Sequence, residues 1–101
     1  MYKHIVLWKL QEEAQGNPKS VNAGLVKEKV EGLKQFIPEI EDLDVGINIG
    51  DYGASFFDVG MYITFQSKED FLKYITYKEH DEVVAFIQSV MSAEEIVDFE
   101  S

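Results

Sequence analysis

Hydrophobic positions recur every second residue in some stretches of this chain and every third or fourth in others, and those changes of period predict its elements. From Tyr2 to Leu10, β-branched and aromatic residues crowd a short run bounded by polar sequence, the composition of a central strand. Tyr2, His4, Val6, Trp8 and Leu10 share one parity of that strand, and Lys3, Ile5, Leu7 and Lys9 share the other. Large apolar groups therefore stand on both of its faces. After a loop from Gln11 to Gly16, Asn17 followed by Pro18 has the form of an N-cap with proline in the first helical position. Val26, Val30, Leu33 and Ile37, flanked by Leu25 and Phe36, then follow the spacing of an amphipathic helix, with Glu28, Lys29, Glu31 and Lys34 on its wet side. Pro38 ends it.

Ile40 to Ile49 reads as a second strand, because Val45, Ile47 and Ile49 alternate with Asp44, Gly46 and Asn48. Gly50 to Ala54 is rich in turn formers, and Phe56 to Phe65 follows as a third strand, the hairpin partner of the second. Its parities are Phe57, Val59, Met61, Ile63 and Phe65 against Phe56, Asp58, Gly60, Tyr62 and Thr64. Ser67 precedes Asp70 by three residues, a capping pattern that starts a second helix at Lys68. Phe71, Leu72 and Ile75 give that helix an apolar stripe, the stretch from Thr76 to Asp81 interrupts it, and Val83, Phe86, Ile87 and Val90 restart it. The expectation is two helical pieces with a bend. Glu94 to Glu100, around Ile96, Val97 and Phe99, completes the chain as a fourth strand.

Strand, helix, strand, strand, helix, strand is the ferredoxin-like order, an α+β fold with two helices on one face of a four-stranded antiparallel sheet. Residues 1–101 are expected to form a single domain, with no repeat or linker dividing them. The other sheet face has no cover within the chain. Tyr2, His4, Val6 and Trp8 are assigned to that open face, which a second copy of the sheet would bury as a homodimer.

Composition narrows the partners. Asp and Glu number 19 against 9 Lys and Arg, for a net charge of −10, so nucleic-acid phosphates and anionic membrane surfaces are not expected partners. Cysteine is absent, which excludes disulfides, thiolate metal sites and a cysteine nucleophile. The apolar stretch near the N-terminus is too short to span a bilayer and has no cleavage signal after it, so a cytoplasmic location is expected. No cofactor is expected, since the chain has no phosphate-binding glycine loop, no dinucleotide fingerprint and no Gly-x-Ser-x-Gly. No metal is expected either, because the histidines have no ligand pair at helical spacing.

Lys3-His4-Ile5-Val6-Leu7-Trp8-Lys9, Ile37-Pro38, Val45-Gly46-Ile47-Asn48, the segment Tyr74 to His80, and Val97-Asp98-Phe99 occur in an order and spacing that resemble the stress-responsive dimeric A/B barrel family over almost the whole chain. The resemblance implies ferredoxin-like protomers paired sheet to sheet into a barrel. Where the family usually carries His-Pro-x-His, this chain has Tyr77-Lys78-Glu79-His80. A plant polyketide cyclase of the family implies a site in which Tyr74 holds a substrate carbonyl, His80 takes a proton, and His4 corresponds to its first-strand histidine. The cyclase's further histidine falls at about Val59 here.

His4 and His80 are the only histidines, and imidazole is the side chain best suited to exchange a proton near neutral pH. His80 and Tyr74 have two readings: an acid–base pair, or a helix-break cap beside a core tyrosine with a satisfied hydroxyl. His4 is read first as a satisfied interior residue. Three functions follow: binding a small apolar or aromatic molecule between sheet and helices, with Tyr74 and His80 at its polar end; a cofactor-independent lyase or cyclase using that pair; and a structural stress protein without catalysis.

Overall fold

The computed structural model describes residues 1–101. β1 (Tyr2–Leu10) is a central strand, hydrogen-bonded antiparallel to both β5 (Val59–Phe65) and β6 (Met91–Glu100), and β4 (Asp42–Ile47) pairs with β5 at the far edge. The resulting order β4-β5-β1-β6 is that of a four-stranded ferredoxin-like sheet. Between β1 and β4 lie a small hairpin, β2 (Glu13–Ala14) and β3 (Asn17–Pro18), and helix α1 (Lys19–Glu31) with a 3₁₀ extension, Gly32–Gln35. Helices α2 (Lys68–Tyr74) and α3 (Lys78–Val90) join β5 to β6. No helix is long and apolar enough to cross a membrane.

The helical spacing read from the sequence is the buried stripe: Val26, Val30, Leu33 and Ile37 are all buried under α1 and its extension. Phe36, beside them, is 54 % exposed. Ser67 caps α2 as its spacing predicts, its hydroxyl accepting the Asp70 N–H at 3.2 Å. The expected bend is a clean break at Ile75–Tyr77. There the Tyr77 hydroxyl donates to Glu39 Oε1 at 2.8 Å, tying the break to the loop after α1.

The structure corrects the expected N-cap of α1. The helix begins at Lys19 after an extended Pro18, and no side chain caps it. Asn17 is held in the hairpin instead, paired with Ala14 across a turn in which Gln15 and Gly16 both have positive φ, 53° and 75°. That is the backbone a tight hairpin turn requires. Asn22, buried in α1, donates through Nδ2 to the Ala14 carbonyl at 3.0 Å and so fastens hairpin to helix. Four strand boundaries also move. The second strand runs from Asp42, with Ile40 in the loop before it, to Ile47, leaving Ile49 94 % exposed; the third starts at Val59, with Phe56 and Phe57 in the loop before it; the last starts at Met91, directly after α3.

The main correction concerns the faces of β1. Tyr2, Val6, Trp8 and Leu10 are buried beneath the helices, with His4 among them, so this parity is not the open face. The pairing register shows why. Tyr2, His4, Val6 and Trp8 lie opposite Phe65, Ile63, Met61 and Val59, the bulky parity of β5, and directly opposed residues share a face. The open face carries the other parity: Lys3, Ile5, Leu7 and Lys9 on β1, Gly60 and Tyr62 on β5, Val97 and Phe99 on β6. Its lysines can extend to water beside a narrower apolar band of Ile5, Leu7, Tyr62, Val97 and Phe99.

Phe65 is fully buried and sits where sheet meets α2, with ring centroids 5.6 Å from Phe71 and 5.0 Å from Tyr74. Phe65→Ala is expected to cost about 3–5 kcal/mol in the urea unfolding free energy. Phe36→Ser, at an exposed site, should change it by no more than about 0.5 kcal/mol. Equal effects would place the core elsewhere.

Candidate functional site

Corrected register places the imidazole of His4 under the helices, and the α2–α3 break brings Tyr74 and His80 over it. Together they line a cavity of about 220 Å³ between the sheet and helices α2 and α3. Val6, Trp8, Met61, Val30, Leu33 and Ile87 supply much of the apolar wall. Tyr74 and His80 meet edge to face with ring centroids 4.7 Å apart, and Phe71 stands beside His4 at 5.0 Å. All three site residues expected from the sequence border this one space.

Their environments differ. Tyr74 is almost fully buried, yet its hydroxyl makes no hydrogen bond within the chain. Burial pushes its pKa up, so it is a donor at every physiological pH. No group of the chain accepts from that hydroxyl, and it is not fully enclosed, the one enclosed unpaired side-chain atom being Asn22 Oδ1; it opens to the cavity. His80 lies in the first turn of α3, where it bonds no backbone carbonyl and so does not cap the break; its Nδ1 stands 3.4 Å from an Asp81 carboxylate oxygen. Burial lowers its pKa below the ordinary 6.5, Asp81 opposes that shift, and the nearby His4 adds to it. Above that value the ring is a neutral base.

His4 is bound to a partner that the sequence reading overlooked. Asp98 lies opposite His4 in the β1–β6 register, and its Oδ1 is 2.5 Å from His4 Nδ1. The Tyr2 hydroxyl donates to the other oxygen of Asp98 at 2.6 Å. Burial, with the bond and charge of Asp98, pushes the Tyr2 hydroxyl up to about 12, so it remains a donor. The carboxylate thus orients His4 through one ring nitrogen and leaves the other for the cavity. Asp98 and Glu94 share one parity of β6, a regularity visible in the sequence; pairing them with His4 and Trp8 required the strand register.

No group of three or more His, Cys, Asp or Glu side chains is placed to hold a metal ion. What the site offers is hydrogen-bond donation from Tyr74, an imidazole at His80 that burial favours in its neutral form, and a second imidazole oriented by Asp98, around a largely apolar cavity.

The fold and sequence have clear counterparts. A dimeric protein of unknown function with a ferredoxin-like fold from Bacteroides fragilis is 27 % identical, with a TM-score of 0.83 over 99 % of this chain and 95 % of that one. A hydroxynitrile lyase from Passiflora edulis is 17 % identical, with a TM-score of 0.78 over 97 % and 90 % of the two chains. A Dabb-family protein with a ferredoxin-like fold from Mesorhizobium loti is 14 % identical, with a TM-score of 0.73 over 99 % and 95 %. At the two lower identities the likeness shows the fold alone. No curated protein matches in sequence. The model of the stress responsive A/B barrel domain matches residues 2–101, and the motifs and the ferredoxin-like sheet fall within that match: the chain belongs to the stress responsive A/B barrel domain family.

Proposed function

We propose that the protein is a homodimer, paired through its open sheet faces, in which each protomer binds a small aromatic or apolar molecule bearing one carbonyl-like acceptor. The observation that carries this reading is the unpaired Tyr74 hydroxyl beside His80 in an otherwise largely apolar cavity. The hydroxyl opens to the cavity, where an acceptor on a ligand can take its hydrogen bond in place of water. The cavity, about 220 Å³, has the liquid volume of about seven waters and is smaller than the roughly 300 Å³ at which drug-sized sites begin. A single ring with a short substituent suits it.

Dimer pairing is supported by the apolar band on the open face and by the dimeric state of the Bacteroides protein. Leu7 is 41 % exposed at the centre of that band, between Gly60 and Glu95 on the neighbouring strands. Leu7→Lys is expected to sediment as a monomer at concentrations where the native chain sediments as a dimer. A native monomer would remove the pairing from the proposal.

A second reading has its own support in His80. A base kept neutral by burial, next to a donor that stays protonated, is equipped to take a proton alpha to a carbonyl while the Tyr74 hydroxyl holds the developing enolate oxygen. This is the cofactor-independent lyase or cyclase class. The hydroxynitrile lyase of the same fold is an enzyme, which is consistent with the scaffold supporting chemistry.

Tyr74→Phe separates ligand binding from structure. Because the hydroxyl has no partner within the chain and opens to the cavity, thermal stability should stay within about 0.5 kcal/mol of native. Affinity for acetophenone, measured by calorimetry, should fall about tenfold. Undiminished affinity would dismiss Tyr74 as the polar anchor.

His80→Gln tests the second reading and the environment of the ring together. Deuterium exchange at the acetophenone methyl group, followed by NMR, should proceed with the native protein and fall to the buffer rate with the variant. Below pH 6.5 the unfolded chain binds a proton at His80 that the native state resists, so native stability should fall as pH drops from 6.5 toward the lowered value. Urea midpoints across that window should show a shallower slope for His80→Gln, and coincident slopes would mean the imidazole is not held neutral.

A further inference from the structure

The cavity has a second polar end, away from Tyr74 and His80. Trp8 and Glu94 are directly opposed on β1 and β6, so both side chains stand on the helix-facing side of the sheet. The indole N–H donates to Glu94 Oε2 at 2.8 Å, which fixes the carboxylate at the cavity wall. The other carboxylate oxygen has no partner in the chain. No lysine lines the cavity, and the remaining polar neighbour at this end is Gln88.

Beside this carboxylate is a recess of about 30 Å³ lined by Trp8, Val84, Ile87, Gln88 and Glu94, all of which also line the main cavity. Its volume is about the share of one water in the liquid, the size of a single hydroxyl. His4 and Trp8 stand on one face of β1 four residues apart, about 13 Å at a strand's rise per residue. The space is therefore elongated, with donors and imidazoles at one end and a carboxylate acceptor at the other.

We propose that Glu94 selects ligands carrying a hydroxyl opposite their carbonyl: para-hydroxyphenyl aldehydes and ketones in preference to the unsubstituted, methoxy or carboxylate analogues. This rests on the cavity-binding reading and adds its substrate class. A phenolic O–H gives the free oxygen of Glu94 a charge-assisted hydrogen bond, which is stronger than one between neutral groups. A methoxy group has no proton to give and exceeds the recess, and a ligand carboxylate meets a like charge. Trp8 positions Glu94, and its burial keeps that geometry rigid.

Trp8 is the only tryptophan, so its fluorescence reports events at this end directly. Acetophenone, 4-hydroxyacetophenone, 4-methoxyacetophenone and 4-acetylbenzoate would be titrated into the native protein, Glu94→Gln and Glu94→Leu, with calorimetry as a second measure. The native protein should prefer the hydroxy compound over acetophenone by about tenfold. Glu94→Gln, which keeps a neutral acceptor and the shape of the side chain, should retain a reduced preference, and Glu94→Leu should show none. Equal binding of the two compounds to the native protein, or a preference that survives in Glu94→Leu, overturns the role of Glu94 while leaving the cavity as a binding site. Absence of binding by any of the four overturns the cavity reading and this inference together.

Discussion

β1 is hydrogen-bonded along both edges, and the rest of the structure depends on the register of that double pairing. A strand's side chains alternate with period two, so a shift of one residue would exchange its faces. It would drive Lys3 and Lys9 beneath the helices and bring Tyr2, Trp8 and Leu10 out to water. Burying an unpaired ammonium costs several kcal/mol, and the lost burial of these apolar groups adds to that. Fit decides it as well. The layer between sheet and helices is filled where Trp8 and Tyr2 oppose Val59 and Phe65, whereas the open parity includes the facing pair Leu7 and Gly60, too small to fill it.

That register also gathers the polar groups. His4 comes under the helices because it shares a parity with Tyr2 and Val6, and Asp98 comes with it because β6 pairs in register. The two polar clusters of the cavity then obey different rules. Around Asp98, which is partly open to water, both carboxylate oxygens are nonetheless paired, by His4 and Tyr2. At Tyr74 the hydroxyl has no partner within the chain and opens to the cavity. Its hydrogen bond is therefore free for whatever occupies the cavity, whereas the groups around Asp98 are committed to one another.

The sequence made the elements legible wherever a local rule decides them. The stripe Val26, Val30, Leu33 and Ile37, the Ser67 cap and the interruption after Tyr74 each express one turn of helix or one cap, and the structure reproduces them. Pairing is not local. Parity alone shows that β1 has two apolar faces without saying which one the helices cover, and the lysines at positions 3 and 9 were the available clue. Asn17 illustrates a local rule overruled: its cap signature is genuine, but pairing with Ala14 and the bond from Asn22 hold that stretch as a hairpin. Tyr74, His80 and His4 were legible by residue type and family resemblance, whereas Asp98 and Glu94 entered only through cross-strand pairing.

β1 also couples the two halves of the proposed function. Its inner parity floors the cavity with His4, Val6 and Trp8, and its outer parity presents Ile5 and Leu7 to the proposed partner. A strand held between two layered surfaces has little freedom to twist or slip, so pairing of the sheets would fix the cavity floor before a ligand arrives. The ordering cost that binding would otherwise carry would then be met on assembly, raising affinity by preorganisation without any new contact. Glu94 lies on β6, an edge strand paired on one side only, and is the more exposed part of this frame. The Trp8 indole compensates by tethering the carboxylate to the central strand. In the proposed dimer the cavity would have a floor stiffened from outside and a far wall anchored to it, which is the arrangement a small site needs if it is to distinguish ligands that differ by one hydroxyl.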